Sequence, residues 1–577
     1  MFGQFGTTLI VAVLISTVNA LSLSPALCAM LLKPGVHRQN LMIRGFNHLF
    51  ELVTRGYMAL VRFFINHLAL AGLLIIGLFV TLSFFFKWVP TSFIPDEDKG
   101  FFLVDVQLQE AASLNRTSAV VDEVTEALMA DPAIEFVLGV NGYSLLNAAL
   151  QSNSAMVIAK LKPWEERTSP ADHQLELQAK YRKQFSSIPG TRAVVFGAPA
   201  IPGLGALAGF SFVLQDTRSQ GAQDLFATTT LIARTAMEQA EISRAFSTFR
   251  AGYPQIWLEI DRVKAKTLGV DNRDIFLTLQ TLLGGLYVND FNLFGQTYKV
   301  MVQADARYRQ DEEDLANLYV SNDRGEMIPL NSLVSTKPLQ GADVLYRHNT
   351  YDSAVINGVH NAAGGYSSGD AMLAMERAAS ATLPSGYKYE WTDSSYEERK
   401  SGNMAPMALG LSLVFTFLFL AALYESFMTP LAIILSVPIA MIGAVAALLI
   451  VGEPLSLYGQ IGMILLVGLA SKTAILIVEF GKSLREAGGL ELREAATKAA
   501  LLRFRPVMMT SLSFVVGVFP LVIASGAGAA SRVSLGMAVF GGTIMAAITG
   551  TLLVPVFFTM VQGIREKVHG GRTPPPE

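Results

Sequence analysis

The sequence predicts an α-helical membrane protein with seven spans, joined to a large α+β region outside the membrane. Its 577 residues are 51% apolar and only 16% charged, and the mean hydropathy is +0.41. Seven runs are almost free of charge and long enough to cross a hydrocarbon core about 30 Å thick. One long polar region, from about Pro90 to Asn403, separates the second run from the third. Together these observations exclude a purely soluble protein.

The apolar runs form two groups, two before the polar region and five after it. In order they are Thr7 to Leu32, Leu68 to Phe86, Ala405 to Tyr424, Phe427 to Val451, Leu455 to Phe480, Pro506 to Ser525 and Val533 to Gln562. The segments after the first and fifth runs, and the tail, are rich in Lys and Arg, whereas the loops 452–454 and 526–532 carry one arginine between them. By the positive-inside rule the basic segments are cytoplasmic, and Met1 and the polar region lie on the other side.

Composition and motifs exclude several classes of function. The net charge of -3 provides no basic excess for a nucleic-acid partner. The single cysteine, Cys28, excludes a disulfide or a cysteine metal site within one chain. His37, His48 and His67 are too scattered for a metal site, and the acidic cluster Asp96 to Asp98 lacks the spacing of a calcium loop. With no catalytic or phosphate-loop motif either, we expect neither an enzyme nor a resident metal.

The polar region contains two copies of one order of strands and helices, βαββαβ, which is typical of the ferredoxin-like fold. The first copy has strands at Phe101 to Leu108, Ile134 to Gly142, Ser154 to Leu161 and Thr191 to Gly197, and helices at Ser113 to Ala130 and Asp172 to Phe185. The second copy has a strand at Phe210 to Leu214, a helix through Glu241, strands at Ser353 to Val359 and Lys388 to Trp391, and a helix at Ser368 to Ala381. The block Ala251 to Asp343, with strands such as Gln255 to Ile260 and Tyr298 to Gln303, is expected to be an insertion in the second copy.

Lys472 places an ammonium group inside the fifth predicted span. It lies ten residues before Lys482, which is about 15 Å along a helix and about half of a hydrocarbon core. A lysine there costs roughly 3 kcal/mol, so such a residue usually pairs with an opposite charge and marks an ion or proton pathway. No Asp occurs in the seven runs, and Glu479 lies near the cytoplasmic end of the same helix. The acidic partner is therefore expected outside this chain.

Six stretches carry a family resemblance that covers almost the whole chain. They are Leu23 to Cys28, Phe93 to Gly100, Tyr287 to Phe291, Ala421 to Ser426, Gly468 to Phe480 and Arg505 to Ser511. In this order they resemble the carboxy-terminal half of a resistance-nodulation-cell division (RND) transporter of the hydrophobe/amphiphile multidrug efflux branch. The resemblance implies helices six to twelve of a homotrimeric pump in the bacterial inner membrane. It also implies a large periplasmic region, a periplasmic adaptor, an outer-membrane channel and a proton gradient as the energy source without a cofactor.

The resemblance also assigns a domain to each part of the chain. We expect a first membrane helix (1–33), a cytoplasmic linker with an amphipathic helix (34–66), a second membrane helix (67–89), a first porter subdomain (90–204), a second porter subdomain (205–250 and 344–403), an inserted docking subdomain (251–343), five membrane helices (404–564) and a cytoplasmic tail (565–577). The amphipathic helix is predicted from apolar and basic residues that alternate at helical spacing from Asn47 to Phe64, and a plain loop is the alternative.

Three residues match the family's proton relay. They are Lys472, Arg503 and Thr510, which in the family act with two acidic residues on the fourth membrane helix. Arg503 and Thr510 are seven residues apart and therefore share one helix face. Protonating a carboxylate beside Lys472 would weaken an ion pair in a low dielectric and so couple proton flow to helix movement. The alternatives are a positive-inside anchor for Arg503 and a hydroxyl bonded to its own helix for Thr510.

Five residues of the first copy are candidates for a drug pocket. Leu138, Tyr143, Leu145 and Ile158 match pocket positions of the family, and Met156 shares a strand face with Ile158. Apolar and adaptable side chains suit varied greasy ligands, because area burial is undirected. The loop lacks the family's glycine run, and most aromatic positions have become Leu or Ile, so plain packing between two strands is the alternative. The linker between the copies resembles the family's entrance-side linker, and its Gly and Pro content makes Pro202, Gly203 and Gly205 candidate hinge residues, with an inert connector as the alternative.

The leading hypothesis is proton-driven efflux of hydrophobic or amphiphilic compounds by the carboxy-terminal half of an inner-membrane pump. Its amino-terminal half, with the acidic relay residues, would be a separate partner. Two alternatives remain open at this point: a non-transporting remnant that binds partner subunits, and an exporter of lipid-like cargo.

Overall fold

The computed structural model describes residues 2–31, 41–402, 404–486 and 489–568. The first part of the predicted cytoplasmic linker, including His37, and most of the predicted tail lie outside the described residues. Four helices precede the first sheet: α1 (Phe2–Leu21), α2 (Leu23–Leu31), α3 (Leu41–Asn66) and α4 (Leu68–Trp88). The first predicted span is thus divided by a turn at Ser22, whose hydroxyl donates a hydrogen bond to the Val18 carbonyl.

The segment predicted to be amphipathic is helical and longer than expected. Helix α3 buries Tyr57, Met58, Val61 and Ile65 against membrane helices, while most of its other side chains are exposed. The Tyr57 ring stacks on Phe504 with 4.2 Å between ring centroids. One apolar face therefore holds α3 to the helix bundle.

The first half of the polar region forms a four-stranded antiparallel sheet covered on one face by two helices. Its elements are β1 (Phe101–Leu108), α5 (Leu114–Met129), β2 (Ile134–Ser144), β3 (Ala149–Leu161), α6 (Gln174–Phe185) and β4 (Thr191–Gly197). The strand order is β2-β3-β1-β4. Val104 and Val106 of β1 pack against both helices, so the alternate residues Leu103, Asp105 and Gln107 lie on the opposite, helix-free face.

The second half repeats this arrangement with a longer chain excursion inside it. Before the excursion come β5 (Phe210–Asp216), α7 (Ala222–Met237) and β6 (Ile242–Ser247), and after it come β13 (Tyr346–His348), β14 (Tyr351–His360), α10 (Ser368–Thr382) and β15 (Tyr387–Thr392). Strand β5 lies between β14 and β15, and β6 pairs with β14 on its other side. Strands β6, β14, β5 and β15 therefore lie side by side in the same order as β2, β3, β1 and β4 of the first sheet. Strand β6 was not predicted.

The excursion forms small two-stranded sheets and short helices with their own core. Its elements are β7 (Tyr253–Ile260), α8 (Arg262–Thr267), α9 (Asn272–Leu279), β8 (Leu286–Leu293), β9 (Gln296–Val302), β10 (Tyr319–Ser321), β11 (Met327–Pro329) and β12 (Val334–Gly341). The strand pairs are β7 with β12, β8 with β9, and β10 with β11. Almost every side chain of the β8–β9 hairpin is exposed.

The remaining helices follow the second sheet. They are α11 (Asp393–Ser401), α12 (Met404–Tyr424), α13 (Thr429–Ile434), α14 (Val437–Val451), α15 (Leu457–Glu486), α16 (Leu492–Val522), α17 (Ala529–Met545) and α18 (Thr551–Val568). Within the described residues, seven helical segments are long and apolar enough to cross a membrane. Helix α16 begins well before the predicted start at Pro506, which lies inside it. A single π-helical turn joins α17 to α18 within the seventh segment.

The bundle has a buried centre and exposed flanks. The segments Thr429–Val451, Leu457–Glu486 and Ala529–Lys567 are largely buried, whereas the other four are mostly exposed. Glycines allow the closest approach: a Cβ on Gly443 would lie 2.5 Å from the Gly541 carbonyl oxygen, and one on Gly541 would lie 2.5 Å from the Gly443 carbonyl oxygen. Close backbone packing of this kind stabilises helix pairs in a membrane, where apolar burial alone gives little preference for helix over lipid.

The segment that leads from α4 into the first sheet is tied to this buried centre by backbone and side-chain hydrogen bonds. Leu455 N donates to the Pro90 carbonyl at 2.8 Å, and Leu457 N donates to Phe93 O at 3.0 Å. The Glu97 carboxylate accepts hydrogen bonds from Ser531 N at 2.8 Å and from the Ser531 hydroxyl, in the first turn of α17. A carboxylate there offsets the partial positive charge of the helix N-terminus.

We expect Glu97→Ala to destabilise the chain by about 1 kcal/mol, because it removes a charged cap from α17. The measurement is the thermal unfolding midpoint of the full chain in lipid nanodiscs. Glu135→Ala is the matched control, because Glu135 is exposed on β2 and has no ion pair among the described residues. Equal midpoints for Glu97→Ala and the unchanged chain would contradict a capping role.

Candidate functional site

Lys472 lies on an exposed strip of a helix that is otherwise well packed. Along α15, Gly468, Lys472 and Glu479 are exposed, and their spacing of four and seven residues puts them on one face. Ser471, Ala474 and Ile477 on other faces are buried. No ion pair of Lys472 occurs within the part of the chain that the structure describes. The ammonium group therefore points away from the core of this bundle.

Arg503 is held against the neighbouring helix by an aromatic contact. Its guanidinium carbon lies 4.3 Å from the centroid of the Phe480 ring on α15. Its Nε is buried and has no hydrogen-bond partner among the described residues. Arg503 is also eleven residues inside α16, and the alternative of a positive-inside anchor stays open.

Thr510 lies at about the height of Lys472 along the bundle. Helices α15 and α16 follow each other through a short connection and pack together. Thr510 lies seven residues after Arg503 on α16, and Thr473, the neighbour of Lys472, lies seven residues before Phe480 on α15. Both threonines are therefore about 10 Å along their helices from the Phe480–Arg503 contact. The Thr510 hydroxyl donates to Val507 O at 2.9 Å, which is the bonding to its own helix considered as the alternative. The relay role of the three residues stays a prediction.

The predicted pocket residues lie on or beside the helix-free face of the first sheet. Leu138 pairs with Ile158, and Met156 is opposite Val140 and Asp105. Leu145 and Ile158 are half-buried against a cluster that includes Leu103, Phe196, Leu207 and Phe246, whereas the Leu138 side chain is 50% exposed. Tyr143 lies at the end of β2 opposite Leu150. Part of the group is therefore packed between strands, and the pocket role stays a prediction.

The linker between the two sheets covers one end of this face. Leu207 packs there with Phe196 and Phe246, and the Lys99 ammonium donates to the carbonyls of Pro199 and Ala200. Gly203 and Gly205 have φ values of +89° and +101°, which side chains other than glycine rarely adopt. A Cβ on Gly205 would also lie 3.0 Å from Asp393 Cβ. The predicted hinge role of Pro202, Gly203 and Gly205 is untested by this geometry.

At the other end, the same face borders a cleft between the two sheets. The cleft has a volume of about 310 Å³ and is lined by residues of both halves of the polar region. Gln107 is opposite Ser154 on β3 and Arg192 on β4, and all three line the cleft. One sheet face therefore changes from apolar near Leu103 to polar near Gln107.

Asp105 lies between these two ends and was missed by the sequence analysis. Its side chain is fully buried, and Oδ1 accepts a hydrogen bond from the Ser144 hydroxyl at 3.3 Å. Oδ2 has no partner among the described residues. Burial raises the pKa of Asp105 to about 6, although Ser144 and the backbone N–H groups of Leu146 and Leu145 lower it in part. The sequence did contain a signal for Asp105. It is a carboxylate within a mainly apolar strand, two residues from Leu103 and therefore on the same face of the sheet.

These helices and sheets define a multi-pass membrane protein with a large α/β region between its second and third candidate spans. Residues 1–562 match the sequence model of the AcrB/AcrD/AcrF family. The chain therefore belongs to that family, whose RND members are efflux transporters, and the prediction that it is not an enzyme is confirmed.

Curated relatives match the chain along nearly its whole length. It is 38% identical to the multidrug export protein AcrF of Escherichia coli K12 over 97% of this chain and 54% of AcrF. It is 37% identical to the multidrug/solvent efflux pump membrane transporter MepB of Pseudomonas putida over 98% of this chain and 54% of MepB. For the multidrug resistance protein MdtF of E. coli K12, the identity is 35% over 97% of this chain and 54% of MdtF. The chain thus spans about half the length of these relatives.

We expect Asp105→Asn to change how stability depends on pH. Because the pKa of Asp105 is about 6 in the folded chain and 3.8 for a free carboxyl, the folded chain loses stability as pH rises through this interval. At pH 8 the amide variant should be more stable by up to about 3 kcal/mol, and below about pH 4 the two proteins should converge. Unfolding midpoints measured across this pH range test the expectation.

Asp122→Asn, on the exposed surface of α5, is the matched control and should give no pH-dependent difference. A constant difference between Asp105→Asn and the unchanged chain at all pH values would mean that Asp105 does not titrate as described.

Proposed function

We propose that this chain is the carboxy-terminal half of a proton-driven RND efflux transporter that acts together with a separate amino-terminal half. The observation that carries the proposal is the exposed Lys472 ammonium on a helix of a candidate membrane segment. A charge in that position needs an opposite charge nearby. The match to about half the length of AcrF and MepB supports the same proposal.

In this proposal the exposed strip of α15 meets a helix of the missing half that carries the acidic relay residues. Loading a proton on such a carboxylate would weaken its attraction to Lys472. Arg503 and Thr510 on α16 would then complete the relay at two heights about 10 Å apart. The cycle needs only a proton gradient and no cofactor.

We further infer that the two sheets are ferredoxin-like porter subdomains in the periplasm. The repeated βαββαβ order and the shared strand order support this assignment. The inserted subdomain 251–343, with its exposed β8–β9 hairpin, would contact the neighbouring subunits of a homotrimer and the outer-membrane channel. A periplasmic adaptor would complete the assembly across the inner and outer membranes.

The proposed cargo is a hydrophobic or amphiphilic compound; among the relatives, AcrF is named a multidrug export protein and MepB a multidrug/solvent efflux pump. The helix-free face of the first sheet supports this class, because apolar groups such as Ile158 lie on the same face as Asp105 and Gln107. Leu138, Met156 and Tyr143 would contact the cargo when the two sheets separate. The linker containing Gly203 and Gly205 would allow that separation.

Complementation in an efflux-deficient bacterium tests the proposal. Co-expression with a matching amino-terminal half is expected to lower accumulation of a hydrophobic dye, whereas this chain alone should have no effect. Lys472→Ala should abolish the co-expression effect, because the acidic partner would lose its counter-charge. Lys482→Ala is the matched control on the same helix and should retain most of the efflux, since Lys482 lies near Glu486 at the helix end.

Efflux by the chain alone, or full efflux with Lys472→Ala, would overturn the proposal. Increased drug sensitivity when the chain is added to intact trimers, without any efflux, would instead favour a non-transporting remnant.

A further inference from the structure

Two arginine side chains converge at the cleft between the two sheets. Arg192 lies on β4 of the first sheet, and Arg250 follows β6 of the second. The Nη1 atom of each donates a hydrogen bond of 3.1 Å to the same acceptor, the Ser247 carbonyl oxygen. Because they share this acceptor, the two guanidinium groups lie close together, and both arginines line the cleft.

Arg192 is the less compensated of the two charges. Arg250 has a carboxylate neighbour, because its Nε lies 3.9 Å from Glu110 Oε1. Arg192 stacks on the buried Phe246 ring at 5.4 Å and makes no ion pair within the described ranges. Burial, followed by repulsion from Arg250 and Arg244 and opposed in part by attraction to Asp105, lowers the pKa of Arg192 to about 10. The guanidinium group thus stays charged at neutral pH. An anion bound beside it would offset the repulsion between Arg192 and the neighbouring arginines.

The floor of the cleft beside Arg192 has unused hydrogen-bonding atoms. Gln107, directly opposite Arg192 in the sheet, is 9% exposed, and its Nε2 donor has no partner among the described residues. Asn153 is 8% exposed, and its Oδ1 acceptor is likewise without a described partner. Buried polar atoms are normally satisfied, so each of these two atoms calls for a polar partner.

The cleft also has carboxylates, which limit where an anion can bind. Glu110 faces Arg250, and Asp343 accepts a hydrogen bond of 2.6 Å from Gln151 Nε2. Both line the cleft. An anion is therefore attracted to the end formed by Arg192 and Gln107 and repelled from the end near Glu110 and Asp343.

We propose that this cleft selects small aromatic or amphiphilic carboxylates, and that Arg192 is the residue that determines this specificity. The carboxylate would accept hydrogen bonds from the Arg192 guanidinium and from Gln107 Nε2, which are charge-assisted and directional. The apolar body would lie toward Phe249 and Tyr253, which also line the cleft. This substrate class rests on the proposed efflux function, but its test measures binding rather than transport.

The experiment compares naphthalene-carboxylate with the neutral naphthalene-carboxamide, by equilibrium dialysis against the full chain in lipid nanodiscs. We expect the carboxylate to bind about tenfold more tightly than the amide. Arg192→Gln should bring the two affinities within about twofold, and raising the salt concentration should weaken binding of the carboxylate but not of the amide.

Arg244→Gln is the matched control. Arg244 stacks on the same Phe246 ring at 4.9 Å but does not line the cleft, so the preference for the carboxylate should remain. Glu110→Gln provides a second test with the opposite sign, because removing the competing carboxylate should tighten carboxylate binding. This variant keeps the proposal testable even where Arg192→Gln folds poorly.

Equal binding of the two probes to the unchanged chain would overturn the proposal. An unaltered preference in Arg192→Gln, an equal loss in Arg244→Gln, or weaker carboxylate binding in Glu110→Gln would do the same. Carboxylate-selective binding without efflux in the complementation assay would instead refute the proposed transport function and leave the specificity of the cleft intact.

Discussion

The position of the Lys472 ammonium is the constraint on which the arrangement of the membrane helices depends. Helix α15 packs against α12, α16, α17 and α18, and these contacts use its small and apolar residues. The strip with Gly468, Lys472 and Glu479 is left open. Because an ammonium group is expensive in hydrocarbon, this strip cannot be a lipid-facing surface at mid-membrane without a counter-charge. In the proposed function, the open side of α15 is where the helix that carries the acidic relay residues would lie.

The unequal burial of the candidate spans agrees with this reasoning. The central segments are held together by close glycine contacts such as Gly443 with Gly541, and they make hydrogen bonds to residues 90–97, which lead into the first sheet. The segments containing α1, α4, α12 and α16 are mostly exposed. A movement of the central helices would therefore be passed to the segment that leads into the first sheet, through the hydrogen bonds of Leu455, Leu457 and Ser531.

Periodicity predicted local structure well and failed where tertiary contact decides. The bounds of β1 and β4 agree with the sequence prediction, because each is a short, mainly apolar run bounded by polar or turn-forming residues. Strand β6 was missed because Ile242 to Ser247 contains Ser and Arg and has no apolar alternation of its own; it is a strand through pairing with β14. Lys472, by contrast, was identified from the apolar residues around it in the sequence alone. Asp105 and Gln107 lie on β1 and Arg192 lies on β4, and only the register between these strands brings all three onto one face.

That register also explains why one sheet face can serve two kinds of contact. Near Leu103 it is closed by Phe246 of the second sheet and Leu207 of the linker, while near Gln107 it stays open as a cleft. The Arg192 hydrogen bond to Ser247 O joins the edge of the first sheet to the end of β6. Any separation of the sheets that uncovers the apolar end must stretch this bond. A carboxylate that accepts a hydrogen bond from the Arg192 guanidinium would replace the bond to Ser247. Carboxylate binding near Gln107 and separation of the sheets near Leu103 would therefore favour each other.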